Sequence, residues 1–192
     1  MTRSVNLDDA LRAIATELHR LRRRFALVGG LAVSVRGEVR FTRDVDLAVG
    51  VEDDPDAEQL VRDLGERGYR VVAVVEQDAV GRLATVRLVD PAGVKVDLLF
   101  ASSGLEAEVV ARAEVIESIY GDLPVARSEE LVALKVLSVV DERLQDRIDL
   151  RSLVALGVDL DVVRANLKLI MQRGYARGQD LPAKLAAELG PR

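Results

Sequence analysis

The segment Thr42-Arg43-Asp44-Val45-Asp46-Leu47-Ala48-Val49 constrains this chain more than any other. It reads as a strand, and side chains two apart on a strand share a face. Val45 and Leu47 therefore turn toward a core, while Asp44 and Asp46 project together to the other side. Two carboxylates fixed side by side repel, and a divalent cation resolves that repulsion. Two-metal phosphoryl-transfer sites hold their ions about 3.5–4 Å apart, a span that carboxylates on one strand can bridge.

The residues before this strand suit the same chemistry. FALVGG reads as a short buried strand stopped by Gly29 and Gly30, followed by a brief helix, LAVSVRG. A glycine pair lets backbone approach a ligand closely, and the free N–H groups opening the next helix point at it, so a triphosphate fits there. A third carboxylate, Asp97, stands in VKVDLLF, an apolar strand where a lone aspartate is costly unless paired or metal-bound. It either completes a metal site or pairs with Arg82 or Arg87 across a hairpin. Each feature alone has an ordinary explanation as a turn, a solvated edge or an ion pair; in this order they are far more specific.

Composition narrows the metal. There is no cysteine, and His19, on a helix beside arginines and read as a surface residue, is the sole histidine. Thiolate sites, disulfide scaffolds, cysteine nucleophiles and His-rich sites are excluded. A donor set made of carboxylates suits Mg²⁺ or Mn²⁺ rather than zinc. Asp8, Asp9 and Glu17 stand where a signal peptide needs an apolar core, and no uncharged run approaches the ~20 residues of a membrane span, so the expected location is the cytoplasm.

The net charge of -5 argues against binding nucleic acid by overall charge, but the charge is segregated. Residues 20–24, RLRRR, carry four arginines, and residues 161–178 hold Arg164, Lys168, Arg173 and Arg177 against Asp161 alone. Residues 51–66 contain seven acids and one arginine.

Apolar spacing predicts a helix from an Asn6 cap to about Arg23, then helices over 56–67 and 105–112. Strands are expected at 69–75, 82–89 and 94–100, the last two joined by a type I turn at Asp90-Pro91-Ala92-Gly93. Residues 113–126 are ambiguous, with a short strand pair about Gly121 as one reading. From Ser128 the pattern is helical: 128–140, 142–156, 160–173 and 181–189. The expected organisation is a mixed α/β domain over residues 1–126 and a helical subdomain over 127–192.

Together, VGGLAV, FTRDVDLAV and VKVDLLF resemble the DNA polymerase β-like nucleotidyltransferases, and within them the AbiEii/MenT group of toxins, over roughly residues 25–156. The resemblance implies an α/β (α+β) fold: a mixed sheet flanked by helices, followed by a C-terminal helical bundle. It adds a lysine on a helix past the sheet and a further acid. Lys135 in SEELVALKVLSVV matches the first, and QDRIDL aligns to the second through either Asp146 or Asp149.

Read from the residues alone, Lys135 stands among Leu131, Val132, Leu134, Val136 and Leu137, so it aims at a pocket or snorkels from a helix edge. It is one of only four lysines beside 23 arginines, and a compact ammonium suits a triphosphate oxygen. Asp146 and Asp149 share a helical face with Arg143, Arg147 and Arg151 alongside, which reads equally as a surface salt-bridge ladder.

The implied reaction is Mg²⁺-dependent transfer of a nucleoside monophosphate from an NTP. In it Asp44, Asp46 and Asp97 bind metal, Asp97 helps activate the acceptor, and Gly29, Gly30 and Lys135 hold the triphosphate. Ser34, Thr42 and Arg43 are further nucleotide contacts. The toxin resemblance implies the 3′ end of tRNA as acceptor, blocking aminoacylation, and a cognate antitoxin as partner. Antibiotic or protein nucleotidylation and a non-enzymatic, antitoxin-like binding module are the alternatives.

Overall fold

The computed structural model describes residues 7–37, 41–140 and 144–190. The proposed Asn6 cap and Arg143 lie outside the described residues. The chain runs α1 (Leu7–Arg20), β1 (Phe25–Val28), α2 (Gly29–Arg36), β2 (Asp44–Val49), α3 (Asp54–Gly65), β3 (Arg70–Gln77), β4 (Arg82–Val89) and β5 (Lys95–Leu99). It continues with α4 (Glu106–Arg112), β6 (Glu114–Ser118), β7 (Gly121–Val125), α5 (Ser128–Ser138), α6 (Leu144–Ala155), α7 (Leu160–Gln172) and α8 (Leu181–Leu189).

The seven strands form one mixed sheet in the order β3-β4-β5-β2-β1-β7-β6. β2 lies at its centre, antiparallel to β1 and parallel to β5. The register sets Asp46 opposite Val28 on one side and Asp97 on the other, so the three motifs read from the sequence converge on adjacent strands.

Local chemistry explains most of the elements. α1 buries Leu11, Ile14, Ala15 and Leu18 at helical spacing, with Asp8 and Asp9 in its first turn and His19 and Arg20 in its last, as the dipole favours. Asp53 caps α3 by accepting from the Asp56 amide at 2.9 Å, and Asp159 and Asp180 cap α7 and α8 the same way. The turn between β4 and β5 closes with the Gly93 amide donating to the Asp90 carbonyl at 3.0 Å. Asp90 Oδ1 accepts from the amides of Ala92 and Val94.

Leu27, Leu47 and Leu98 of the sheet and Leu131, Val132 and Val136 of α5 belong to one continuous core. The helical half thus packs on the sheet and brings Lys135 toward β2. At the open edge of the sheet, β3 is exposed along almost its whole length, including Val71, Val72, Val74 and Val75. Its pairing with β4 is broken by two register shifts, and such bulges discourage edge-to-edge association.

The glycine pair differs from expectation. It does not form a turn ahead of a helix starting at Leu31; Gly29 and Gly30 are themselves the first residues of α2. The chain enters that helix directly from β1 through Gly29 at φ +63°.

Candidate active site

A cavity of about 670 Å³ opens where β1 and β2 meet α5 and α6. Its wall includes Gly29, Gly30, Asp44, Asp46, Lys135 and Asp146. β2 supplies the two aspartates on the face opposite buried Val45 and Leu47, as strand alternation requires.

Gly29 is required by two constraints. Its φ is left-handed, and a Cβ added there would fall inside contact distance of Asp46 Oδ2. The backbone at the opening of α2 is thereby seated against the carboxylate. A Gly29→Ala chain is expected to lose most of its nucleotide affinity and to melt several degrees lower, through φ strain and displacement of Asp46. Equilibrium titration with NTP and a melting curve read the two effects.

The electrostatics center on Asp46. Its carboxyl is pushed up to about 6, first by burial and then by the negative charges of Asp97 and Asp44; Lys135 and a hydrogen bond from the Gly30 backbone act in the opposite sense. Burial and two neighbouring negative charges both disfavour the ionised form.

Asp97 is held differently. It is buried, and Arg87 on β4 donates to both of its oxygens, Nε to Oδ1 at 2.7 Å and Nη2 to Oδ2 at 2.6 Å. Of the two hairpin partners open to it in the sequence, Arg87 is the one it takes, while Arg82 pairs with Asp54 at 2.7 Å. The Arg87 guanidinium is raised by this pairing and by the charge of Asp44 and Asp46 beyond it. Among the described residues, no group of three or more acidic or histidine side chains is placed to hold a metal ion. The pair Asp44 and Asp46 nonetheless matches a hard cation, because Mg²⁺ is commonly bound through one or two carboxylates plus substrate phosphates.

Lys135 is buried, with its stem packed in α5 and its ammonium 2.6 Å from both Asp146 Oδ1 and Asp149 Oδ2. Both aspartates therefore face the lysine, and among the described residues Arg147 and Arg151 pair with Glu188. The two acids differ in place. Asp146 lines the cavity, whereas Asp149 is 1% exposed and also accepts from Gln145 Nε2 at 2.9 Å.

Of the other expected contacts, Thr42 and Arg43 line the cavity and Ser34 does not; the Ser34 hydroxyl donates to the Gly30 carbonyl at 3.1 Å. His19 is exposed, its ring set edgewise 5.1 Å from Phe25. Much of the basic charge is internally engaged. Arg20 pairs with Glu17, Arg23 with Asp56, Arg164 with Asp161 and Arg173 with Glu108. Arg22, Arg24, Lys168 and Arg177 have no ion-pair partner among the described residues.

The cavity wall also holds Phe41, Ser102, Ser103 and Ser138, which the sequence did not mark, and Arg177 from the basic stretch 161–178. Buried Glu106 fixes the Ser102–Ser103 loop by accepting from both amides and from the Ser103 hydroxyl. Arg177 reaches it from the C-terminal segment, donating to the Ser102 carbonyl at 3.2 Å.

The mixed sheet with its flanking helices has the polymerase β-like nucleotidyltransferase fold. Among solved structures, an antigenic nucleotidyltransferase-like protein from Paracoccidioides brasiliensis is similar at TM-score 0.51 and 19% identity, covering 95% of this chain and 93% of that one. The lincosamide antibiotic adenylyltransferase LnuA is similar at 0.52 and 14%, covering 76% and 95%, and the antibiotic-resistance factor ANT(2'')-Ia at 0.53 and 18%, covering 87% and 94%. These likenesses show the fold. No curated protein matches the sequence. Residues 10–190 match the family described as nucleotidyl transferase AbiEii toxin, type IV TA system, and the chain belongs to that family of nucleotidyltransferases. No described helix is long and apolar enough to cross a membrane.

Proposed function

We propose that this toxin-family nucleotidyltransferase acts in the cytoplasm, is Mg²⁺-dependent, and transfers a nucleoside monophosphate from an NTP to the 3′ end of tRNA, stopping aminoacylation until a cognate antitoxin neutralises it. The observation that carries the reading is the meeting, on one cavity wall, of the Asp44/Asp46 pair, the glycine-opened α2 and buried Lys135.

Asp44 and Asp46 would hold the metal, with Asp97 as a further ligand once Arg87 yields an oxygen. A Mg²⁺ held there would offset the charge that builds on the phosphoryl oxygens and the departing pyrophosphate. The amides of Gly29 and Gly30 and the Lys135 ammonium hold the triphosphate, with Thr42 and Arg43 at its margin. Asp146 and Asp149 are positioning residues for Lys135. The acceptor hydroxyl oxygen bonds to the α-phosphorus, the bond to the bridging oxygen breaks, and pyrophosphate leaves. The hydroxyl proton passes to Asp97. In this scheme residues 1–126 carry the carboxylates and residues 127–192 carry the lysine and its supports.

Induced expression in bacteria tests the biological end of this reading. Growth arrest is expected, with the tRNA of arrested cells extended at its 3′ end and uncharged, and neither effect with Asp46→Asn. Arrest with tRNA ends intact would move the acceptor to another class, and harmless expression of active enzyme would favour a small-molecule acceptor.

A further inference from the structure

Arg177 is the residue of the basic stretch 161–178 that lines the active-site cavity. Its backbone is left-handed, at φ +54°, a conformation unfavourable for a residue with a Cβ and kept only where the surroundings impose it. Here they do. Arg173 donates to both oxygens of Glu108, at 2.8 and 2.6 Å, and the buried ring of Tyr175 packs so closely on Gly104 that a Cβ there would collide with it. The C-terminal segment is thus pinned at both residues to the stretch between β5 and α4, and Arg177 is held in a fixed place.

The sheet sets that place. β1 and β5 lie on either side of β2. Val28, the last residue of β1, stands opposite Asp46, and the glycine pair follows it; Asp97 of β5 stands opposite Asp46 on the other side. Ser102 follows the end of β5, and its carbonyl accepts from Arg177 Nη2 at 3.2 Å. Across the sheet, β2 and its carboxylates therefore stand between the glycine pair and Ser102.

The Lys135 ammonium is already matched by two carboxylates, whereas no carboxylate among the described residues pairs with Arg177. Only one of its terminal nitrogens is taken by the Ser102 carbonyl, and the Ser102 hydroxyl has no hydrogen-bond partner among the described residues. A planar fork of donors beside a hydroxyl is a set that binds phosphate. With the triphosphate on the glycine side, the phosphate available on the β5 side is one from the backbone of a polynucleotide acceptor.

We propose that Arg177, with the Ser102 hydroxyl, binds a backbone phosphate of the RNA acceptor on the β5 side of Asp46. The proposal rests on the RNA acceptor argued above and assigns it a place. The contact reads no base; it fixes the strand so that the terminal hydroxyl enters beside Asp97, across β2 from the glycine pair.

The test uses the full chain, a 5′-labelled bacterial tRNA read by fluorescence anisotropy over a range of salt without NTP, and a separate NTP titration without RNA. Arg177→Gly suits the left-handed backbone, so the variant should melt no lower than the parent. It is expected to bind tRNA roughly fivefold more weakly at moderate salt, with the slope of log affinity against log salt shallower by about 0.7–0.9, the share of one phosphate contact. NTP affinity should stay unchanged. Arg177→Lys should restore the slope but only part of the affinity, because an ammonium lacks the fork.

Four outcomes overturn the proposal. Equal tRNA affinity and slope in Arg177→Gly remove the phosphate contact and leave the RNA acceptor standing. Weaker binding with the slope unchanged makes Arg177 a support for the Ser102 loop alone. Loss of NTP affinity with tRNA binding intact assigns the guanidinium to the triphosphate. A parent protein that binds NTP but no tRNA removes the RNA acceptor and this contact together.

Discussion

Replacing Asp46 with asparagine is expected to reduce nucleotidyl transfer by at least about a thousandfold while making the metal-free protein more stable above pH 6. The activity loss follows from removing a carboxylate proposed to hold the charge-offsetting cation, an effect of several kcal/mol. The gain in stability follows from the raised carboxyl. Asp46 titrates near 6 in the fold, against an ordinary value of 3.8. Between those values the native state keeps a proton that the unfolded chain has released, so stability falls as pH rises through the window. Above about 6 the cost is complete.

Asparagine carries no such charge. Because the carboxylate keeps some solvent contact, the difference is on the order of 2 kcal/mol, or roughly 4–8 °C for a protein of this size. Melting curves of both proteins in a chelator at pH 4 and pH 8 should converge at the lower pH and separate at the higher. Equal separation at both would show that Asp46 is not the group responsible. Mg²⁺ affinity of the parent should rise with pH up to about 6 and then level off, since the ion competes with the same proton.

The second large effect is expected at Lys135. Alanine there leaves Asp146 and Asp149 facing each other without the ammonium that sits 2.6 Å from both. With Asp149 1% exposed, the orphaned charge should destabilise the fold by about 3–5 kcal/mol, as breaking a buried pair does. Transfer should be lost as well, because the proposed triphosphate site then lacks its ammonium. The two losses separate in the double variant Lys135→Ala with Asp149→Asn, which should recover most of the stability and none of the activity. Recovery of both would make Lys135 a structural group alone.

Much of this architecture is legible in the residues. Asp44, Asp46 and Asp97 stand out because a charge in an apolar strand contradicts its surroundings, and the contradiction is local. The helices α7 and α8 announce themselves by apolar period and by caps such as Asp180 with Pro182 in the first turn. β6 and β7 read ambiguously because they lie toward the sheet edge, where Val115 is 72% exposed and Pro124 sits within a strand, so the apolar alternation is absent.

The choice between Asp146 and Asp149 does not yield to sequence for a geometric reason. Residues three apart share a helical face, and both reach the same ammonium. Which one lines the cavity depends on how α6 lies against α5. The pairing of Asp97 with Arg87 rather than Arg82 is likewise a matter of register, fixed by the turn at Asp90–Gly93. Phe41, Ser102 and Arg177 come from loops and from a segment far along the chain, and no periodic pattern marks them.

Transfer of a nucleotide to RNA at the Asp44/Asp46 wall, as proposed, predicts a defined product. It is tested most directly by incubating purified protein with Mg²⁺, total bacterial tRNA and each α-labelled NTP in turn, beside the Asp46→Asn variant. A labelled tRNA band is expected with at least one nucleotide, absent from the variant and abolished by chelator. A labelled band of equal strength from the variant, or none from a parent protein that binds both NTP and tRNA, would contradict it.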